Sequence, residues 1–251
     1  MIDPQRLKVV CCRMASAGVL AAALAVALPG GAAMAQSLTV LPVSIQMAPG
    51  QMSTELTVIN MGDAETSVQV RSFAWNQTGG EDALASSTEV LASPPLTTIP
   101  PGTTQVVRLV LRQPPTGHEA TYRILLDQVP PPAAPGTVRI ALRLSIPVFA
   151  EPAGRVVPHV KFRVERSAGQ AYLIALNDGG RHETFRDIKL TTNDGTALKT
   201  DDGSPYVLSG ATRRWRIADA ATVPASGGSL RLTARADSGV LAQPVSVVAT
   251  P

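Results

Sequence analysis

The most constraining feature of this sequence is the regular spacing of turn residues between short apolar runs. From about residue 36 onward, runs rich in Val, Ile, Leu and Thr are interrupted by Gly, Pro, Asn or Asp roughly every 8 to 12 residues. The segments NMGD (60–63), NDGG (177–180) and DDGS (201–204) are typical of these turns. No part of this region shows the 3.6-residue apolar period of an amphipathic helix. The spacing therefore predicts an antiparallel sandwich or barrel.

The same pattern predicts two sets of strands. The first set lies near 38–47, 53–60, 66–75, 88–91, 104–112, 121–129 and 137–150. The second set lies near 156–164, 171–176, 184–191, 206–208, 212–217, 229–235 and 244–249. Between them, EPAGR (151–155) carries a Pro and a Gly. We therefore expect an all-β protein of two immunoglobulin-like β-sandwich domains, 36–152 and 153–251.

The first 35 residues have the layout of a secretory signal peptide. Basic residues precede the apolar run MASAGVLAAALAVAL (14–28), and small residues follow it up to Ala33-Met34-Ala35. The apolar run is shorter than the ~20 residues that span a bilayer. We expect cleavage after Ala35, export to the periplasm and no membrane insertion.

Composition after that cleavage narrows the function classes. Both cysteines, Cys11 and Cys12, lie in the leader, so the mature domains are expected to fold without a disulfide. The leader also carries three of the 22 basic and one of the 19 acidic residues. Since the remaining charge is close to neutral, nothing in it favours a nucleic-acid partner.

No arrangement of residues predicts catalysis or metal binding. The three histidines, His118, His159 and His182, have no metal-ligand spacing. No nucleophile elbow, phosphate loop or dinucleotide fingerprint occurs. Asp201 and Asp202 precede Gly203, where they are interpreted as turn residues. We therefore expect no enzyme activity, no cofactor and no metal.

The segment TVRIALRLSIPVFAEP (137–152) contains the most informative strand. Val138, Ile140, Leu142 and Leu144 share one face by two-residue alternation, and arginines lie on the other face. The predicted strand is long compared with the usual ~5–6 residues. By itself, the pattern also fits an ordinary core strand of a sandwich.

The context of this strand resembles the periplasmic chaperones of the chaperone–usher pilus pathway. The resemblance rests on VRSFAWNQ (70–77), PPLTTIPPGTTQVVRL (94–109), YRILLDQVPP (122–131) and IPVFAEP (146–152). These segments occur in the family's order, behind a predicted signal peptide and before a second β domain. The resemblance covers most of 38–152.

The resemblance implies two domains in an L or boomerang arrangement and a function in fimbrium biogenesis. An edge strand of the first domain would complete a pilin subunit that lacks one strand, and the complex would be delivered to an outer-membrane usher. Val138, Ile140 and Leu142 would be the donor residues, with Leu144 as a fourth candidate. The sequence identifies neither the client nor the usher, and it leaves open whether the free protein covers its donor edge by self-association.

Two features of the family are altered in this sequence. The basic residues that anchor a client's terminal carboxylate correspond to Ser44 and Pro147, which carry no charge. In a divergent branch, associated with archaic or spore-coat-like pili, the anchor comes from the preceding strand. Arg123 lies in that strand and is the candidate anchor, although it also fits a solvated sheet residue.

The family's interdomain charge cluster corresponds to Arg108, Gln128 and Glu151. Because Arg108 and Glu151 keep opposite charges, we predict that they pair near the hinge. Trp75 is expected to be a buried sandwich aromatic. An exported two-domain adhesion or carbohydrate-binding module, in which 137–150 is an ordinary core strand, remains the alternative function.

Overall fold

The structure, a computed structural model, describes residues 38–132, 135, 136, 138 and 140–249. The predicted signal peptide and cleavage site lie outside these residues. The described chain forms strands and no helix, which confirms the predicted all-β fold of two immunoglobulin-like β-sandwich domains. Among the described residues, no helix has the length and apolar character needed to cross a membrane.

The first half of the chain contributes ten strands. They are β1 (Leu38–Leu41), β2 (Ile45–Met47), β3 (Ser53–Asn60), β4 (Thr66–Thr78), β5 (Glu81–Ser86), β6 (Val90–Ser93), β7 (Leu96–Ile99), β8 (Thr104–Leu111), β9 (Ala120–Val129) and β10 (Arg143–Ala150). One sheet has the order β1-β3-β8-β6, and the other has the order β2-β10-β9-β4-β5 with β7 also paired to β4.

Two-residue alternation explains how these sheets form a sandwich. On β8, Val107, Leu109 and Leu111 are buried, while the residues between them point to the opposite face. On β9, Tyr122 and Ile124 are buried in the same core. The apolar faces of the two sheets therefore pack against each other.

The second half contributes eight strands. They are β11 (Val160–Ser167), β12 (Gln170–Asn177), β13 (Glu183–Thr191), β14 (Ala197–Leu198), β15 (Tyr206–Val207), β16 (Thr212–Arg216), β17 (Ser229–Ala236) and β18 (Gly239–Ala249). Their pairing follows the order β14-β13-β17-β18-β11-β12-β16, with β15 paired to β13. A separate core, which includes Trp215 and Phe185, fills this half.

A third, smaller core joins the two halves, and the described residues belong to one compact unit. Trp75 and Phe149 from the first half pack with Leu208 from the second, and Tyr206 lies against them. Phe149 is stacked on the ring of His182, with 3.6 Å between ring centroids. Trp75 is buried as predicted, but it lies in this junction core instead of the sandwich core.

Several strands differ from their predicted extents. The predicted strand 38–47 is divided into β1 and β2, with a cis peptide bond at Leu41-Pro42 between them. Strands β5 and β7 were not predicted. The predicted strand 137–150 begins only at Arg143. Leu142 still contacts β9, since its carbonyl oxygen accepts a 2.8 Å hydrogen bond from the backbone N–H of Gln128.

Candidate functional site

The candidate site begins at an unpaired edge of β10. One edge of this strand pairs with β9 along its whole length, from Arg143 to Ala150. Strand β2 pairs with the other edge only from Val148 to Ala150. Within the described part of the chain, no strand covers that edge from Arg143 to Pro147. We call Arg143–Pro147 the free edge.

Three of the four predicted donor residues precede this free edge, and Leu144 lies within it. Val138 and Ile140 are 92% and 91% exposed, Leu142 is 39% exposed, and Leu144 is half-buried against the first core. A single bare aliphatic residue is common on protein surfaces, but an alternating row beside an unpaired edge is not. The structure therefore presents an apolar row that is available for pairing.

The same row continues into the protein's own core. Ile146 and Val148 occupy the next positions on that face, and both are buried. The change from exposed to buried occurs where the opposing sheet covers the strand. The apolar pattern over 138–148 therefore has two parts, and only the first part is exposed.

Arg123 lies beside the free edge, on the opposite face of the sheet from the buried core. In the β9–β10 register, it is directly across from Pro147. On its other side, Phe73 of β4 is its partner. Because its neighbours Tyr122 and Ile124 point into the core, the side chain of Arg123 emerges on the outer face.

Two aromatic rings surround the guanidinium of Arg123. Its central carbon lies 3.7 Å from the ring centroid of Trp75 and 5.4 Å from that of Tyr206. Within the described residues, no carboxylate lies close enough to form an ion pair with it. We call Arg123, Trp75 and Tyr206 the anchor cluster.

Partial burial changes the pKa of Arg123. Partial desolvation lowers the pKa of Arg123 from its ordinary value, and the nearby charge of Asp82 partly offsets that effect. A guanidinium nevertheless stays protonated near neutral pH. The cluster therefore holds a half-buried cation with no carboxylate partner among the residues that the structure describes.

A second arginine arrangement lies farther along the same face. Asp127 of β9 accepts a hydrogen bond of 2.6 Å from Arg71 and a short one from Arg143. Burial of Asp127 opposes ionisation, but the hydrogen bonds from Arg143 and Arg71 outweigh it and lower the pKa of this carboxyl group. Asp127 thereby fixes the first residue of β10 against β9.

The predicted Arg108–Glu151 ion pair is wrong. Arg108 lies on the outer face of the other sheet, where it pairs with Glu55 at 3.2 Å. Its position follows from alternation, since Val107 and Leu109 on either side are buried. Glu151 follows β10 and pairs instead with Arg181, at 3.1 Å.

A different cluster of charged groups joins the halves. The buried carboxylate of Glu119 accepts hydrogen bonds from the backbone N–H of His182 at 2.9 Å and from its ring Nδ1 at 2.6 Å. Arg181 lies between this carboxylate and Glu151, at 3.9 and 3.1 Å. The junction therefore has polar contacts of its own, made by residues other than Arg108.

Sequence reasoning missed most of these junction partners. Tyr206 and His182 lie in the second half, and the contacts that give them a role come from Arg123 and Phe149 in the first half. Asp127 could have been singled out from the sequence, since this acidic residue follows the apolar run of β9 and precedes Val-Pro-Pro. Ser44, which the resemblance aligns with one of the family's basic anchors, lies exposed between β1 and β2.

Nothing in the described residues forms a candidate metal centre. No group of three or more His, Cys, Asp or Glu side chains is close enough together there to hold an ion. His118, His159 and His182 are engaged separately, with Ser209, Asp178 and Glu119.

Solved structures share this fold. The chaperone–tip adhesion subunit pre-assembly complex CsuC–CsuE, from archaic chaperone–usher Csu pili of Acinetobacter baumannii, is similar at 22% identity and a TM-score of 0.63. That match covers 86% of this chain and 100% of the other. The Salmonella enterica SafA pilin–SafB chaperone complex matches at 18% identity and a TM-score of 0.55, covering 85% and 97%.

The Pseudomonas aeruginosa CupB2 chaperone is also similar, at 16% identity and a TM-score of 0.53, with coverage of 83% and 100%. No curated protein matches the chain significantly. The sequence profile of the pili and flagellar-assembly chaperone, PapD N-terminal domain, matches residues 37–155. These residues include the free edge, Arg123 and the candidate donor residues. Residues 37–155 therefore form a domain of this family of pilus-assembly chaperones.

Proposed function

We propose that this protein is a periplasmic chaperone that binds exported pilin subunits by donor-strand complementation. Residues 36–152 would form the chaperone domain and 153–251 the second domain. The client would be a pilin-like subunit that lacks one strand, and the loaded complex would go to an outer-membrane usher. The proposed function requires no chemical step and no cofactor.

The exposed apolar row beside the free edge is the observation that carries this proposal. A subunit that lacks a strand exposes unpaired backbone groups and apolar pockets. The free edge supplies unpaired backbone, and Val138, Ile140 and Leu142 supply side chains at alternate positions. Each aliphatic side chain that becomes buried contributes roughly 1.5–3 kcal/mol before the costs of association.

Arg123 supports the proposal as the anchor for a client carboxylate. The rings of Trp75 and Tyr206 do not neutralise the charge of Arg123. A guanidinium can bind a carboxylate through two parallel hydrogen bonds. Its position across from Pro147 places it next to the position of the missing family anchor. This replacement favours membership of the archaic branch, to which one of the similar structures belongs.

Coexpression with exported pilin candidates tests the proposal. The mature protein is compared with an Ile140→Asp, Leu142→Asp double variant, because both side chains are exposed and the variant should retain its β circular-dichroism spectrum. We expect a subunit to copurify with the parent and to be lost from the variant. Equal copurification with both proteins would reject strand donation.

The alternative of an adhesion or carbohydrate-binding module makes the opposite prediction. In that alternative, residues 137–150 form an ordinary core strand, whereas Val138 and Ile140 are almost fully exposed. A parent protein that purifies without any subunit but retains a glycan would favour the alternative.

A further inference from the structure

We propose that Gln77 positions Tyr206 against Arg123, so that both halves of the protein build the anion-binding part of the site. This inference rests on the proposed function, because it assigns to the second half a role in holding the client's carboxylate. Gln77 would act as a positioning residue, since its side chain contacts the backbone that carries Tyr206.

The contacts of Gln77 reach from one half to the other. It lies near the end of β4, and its side-chain amide donates a 2.8 Å hydrogen bond to the carbonyl oxygen of Tyr206. Its side-chain carbonyl accepts a 3.1 Å bond from the backbone N–H of Leu208. The amide also contacts Asp82 at 3.0 Å. One side chain thus holds the β15 backbone on both sides of Val207.

This attachment fixes the ring of Tyr206 relative to Trp75 and Arg123. The rings of Tyr206 and Trp75 meet edge to face, with centroids 5.3 Å apart and an interplanar angle of 87°. Trp75 lies two residues before Gln77 on the same face of β4. One short segment of β4 therefore fixes the positions of both aromatic rings that contact the Arg123 guanidinium.

The chemical consequence concerns the orientation of the guanidinium. Aromatic rings attract its flat faces, while its N–H groups point outward in the guanidinium plane. With Tyr206 in place, Arg123 is restrained on two sides, so less rotational freedom is lost when it binds a carboxylate. Without Tyr206, only Trp75 would restrain the side chain.

The two halves have further contacts near this point, so loss of Gln77 should leave them docked. Arg213 donates a 3.2 Å hydrogen bond to the carbonyl oxygen of Gly80 and another of 3.2 Å to Glu81. A Cβ at Gly80 would approach the Arg214 side chain to 2.6 Å, so the β4–β5 turn lies directly on β16. The effect of a Gln77 variant should therefore stay local.

The free-state test is the ¹H–¹⁵N NMR signal of the Arg123 Nε–H group, which is assigned by its loss in Arg123→Lys. Ring currents from Trp75 and Tyr206 should displace this signal in the parent. In Gln77→Ala we expect the displacement to decrease. In Gln77→Glu it should decrease as well, because a carboxylate cannot donate to the Tyr206 carbonyl. The matched control is Gln69→Ala, which changes an exposed glutamine on the same strand and should keep the parent signal.

Titration with sodium acetate, against sodium chloride at equal ionic strength, then tests carboxylate binding. We expect acetate to shift the Arg123 signal in the parent and in Gln69→Ala, and to bind about tenfold more weakly to Gln77→Ala. A parent signal that ignores acetate would reject Arg123 as an anchor and thereby the proposed site. A Gln77→Ala protein with unchanged signal position and acetate affinity would overturn the positioning role alone.

Discussion

Arg123 and Pro147 are direct cross-strand partners, one on β9 and the other on β10. The family resemblance predicts a basic anchor residue at Pro147, and the proline ring carries no charge. Because directly opposed residues project on the same face of a sheet, the guanidinium of Arg123 emerges beside Pro147. In the proposed function, Arg123 therefore supplies from the adjacent strand the positive charge that Pro147 lacks.

The first prediction concerns this cation. Arg123→Ala should weaken client capture at least tenfold, because a charge-assisted hydrogen bond contributes about 1.5–3 kcal/mol. Arg123→Lys should retain part of the capture, since it keeps the charge but loses the two-pronged geometry. The measurement is quantitative copurification of the coexpressed subunit.

Arg108→Ala is the matched control for Arg123, because Arg108 is an exposed arginine on the other sheet, paired with Glu55. It should capture the subunit as well as the parent does. Full capture by a folded Arg123→Ala protein would exclude Arg123 as the anchor.

The second prediction separates the two parts of the apolar row. Ile140→Ala should change the free energy of unfolding by no more than about 0.5 kcal/mol, because the side chain is exposed. Ile146→Ala, on the same face of the row, should lower it by about 2–5 kcal/mol, because that side chain is buried. Urea unfolding of the free protein measures both values, and similar losses in the two variants would contradict the division.

The third prediction concerns the junction core. Phe149→Ala should lower the free energy of unfolding by about 3–5 kcal/mol, because Phe149 is fully buried between Trp75, Tyr206 and His182. Phe73→Ala serves as the comparison, since Phe73 is only half-buried on the same sheet. Thermal or urea unfolding distinguishes them, and equal effects would show that the junction adds little stability.

The fourth prediction is a pH dependence at Asp127. Its pKa is lowered in the folded protein, so its contribution to stability is fully present above the unfolded pKa of about 3.9. That contribution is lost as the pH falls through the lower folded value. Because both arginine partners are substantially exposed, we expect only about 1 kcal/mol.

Urea midpoints of the parent and Asp127→Asn, measured from pH 2 to pH 7, test this dependence. The difference between the two proteins should be constant above about pH 5 and should shrink toward pH 2. A difference that is independent of pH would mean that the carboxylate charge does not contribute.

Residue alternation made much of the fold predictable. The strands with a clear apolar face, such as β3, β8 and β9, lie within a residue or two of their predicted bounds. Strand β5 has no such face, because nearly all its residues are exposed. Apolar alternation therefore did not predict it. The strand predicted at 137–150 was too long because apolar alternation does not distinguish residues buried in the protein from residues left exposed.

The junction was much less predictable, for a physical reason. Which arginine meets which acid depends on the face of the sheet and on contacts between the halves. Alternation alone places Arg108 on the outer face of its sheet, but the partner of Glu151 is Arg181, in the other half. Similarly, Tyr206 reaches Arg123 only after both halves have folded.

The start of the β2–β10 pairing at Val148 also limits the length of any partner strand that can pair with the free edge. An incoming strand cannot continue past Pro147, which has no N–H to donate, and the same edge is occupied by β2 from Val148 onward. Val138 to Pro147 is ten residues, which would span about 30 Å if they were fully extended beside a partner strand. The side chain of Ile146 is buried in the protein's own core. Under the proposed function, the groove of a matching subunit should therefore have four consecutive pockets, and a subunit with a longer groove would leave its far end unfilled.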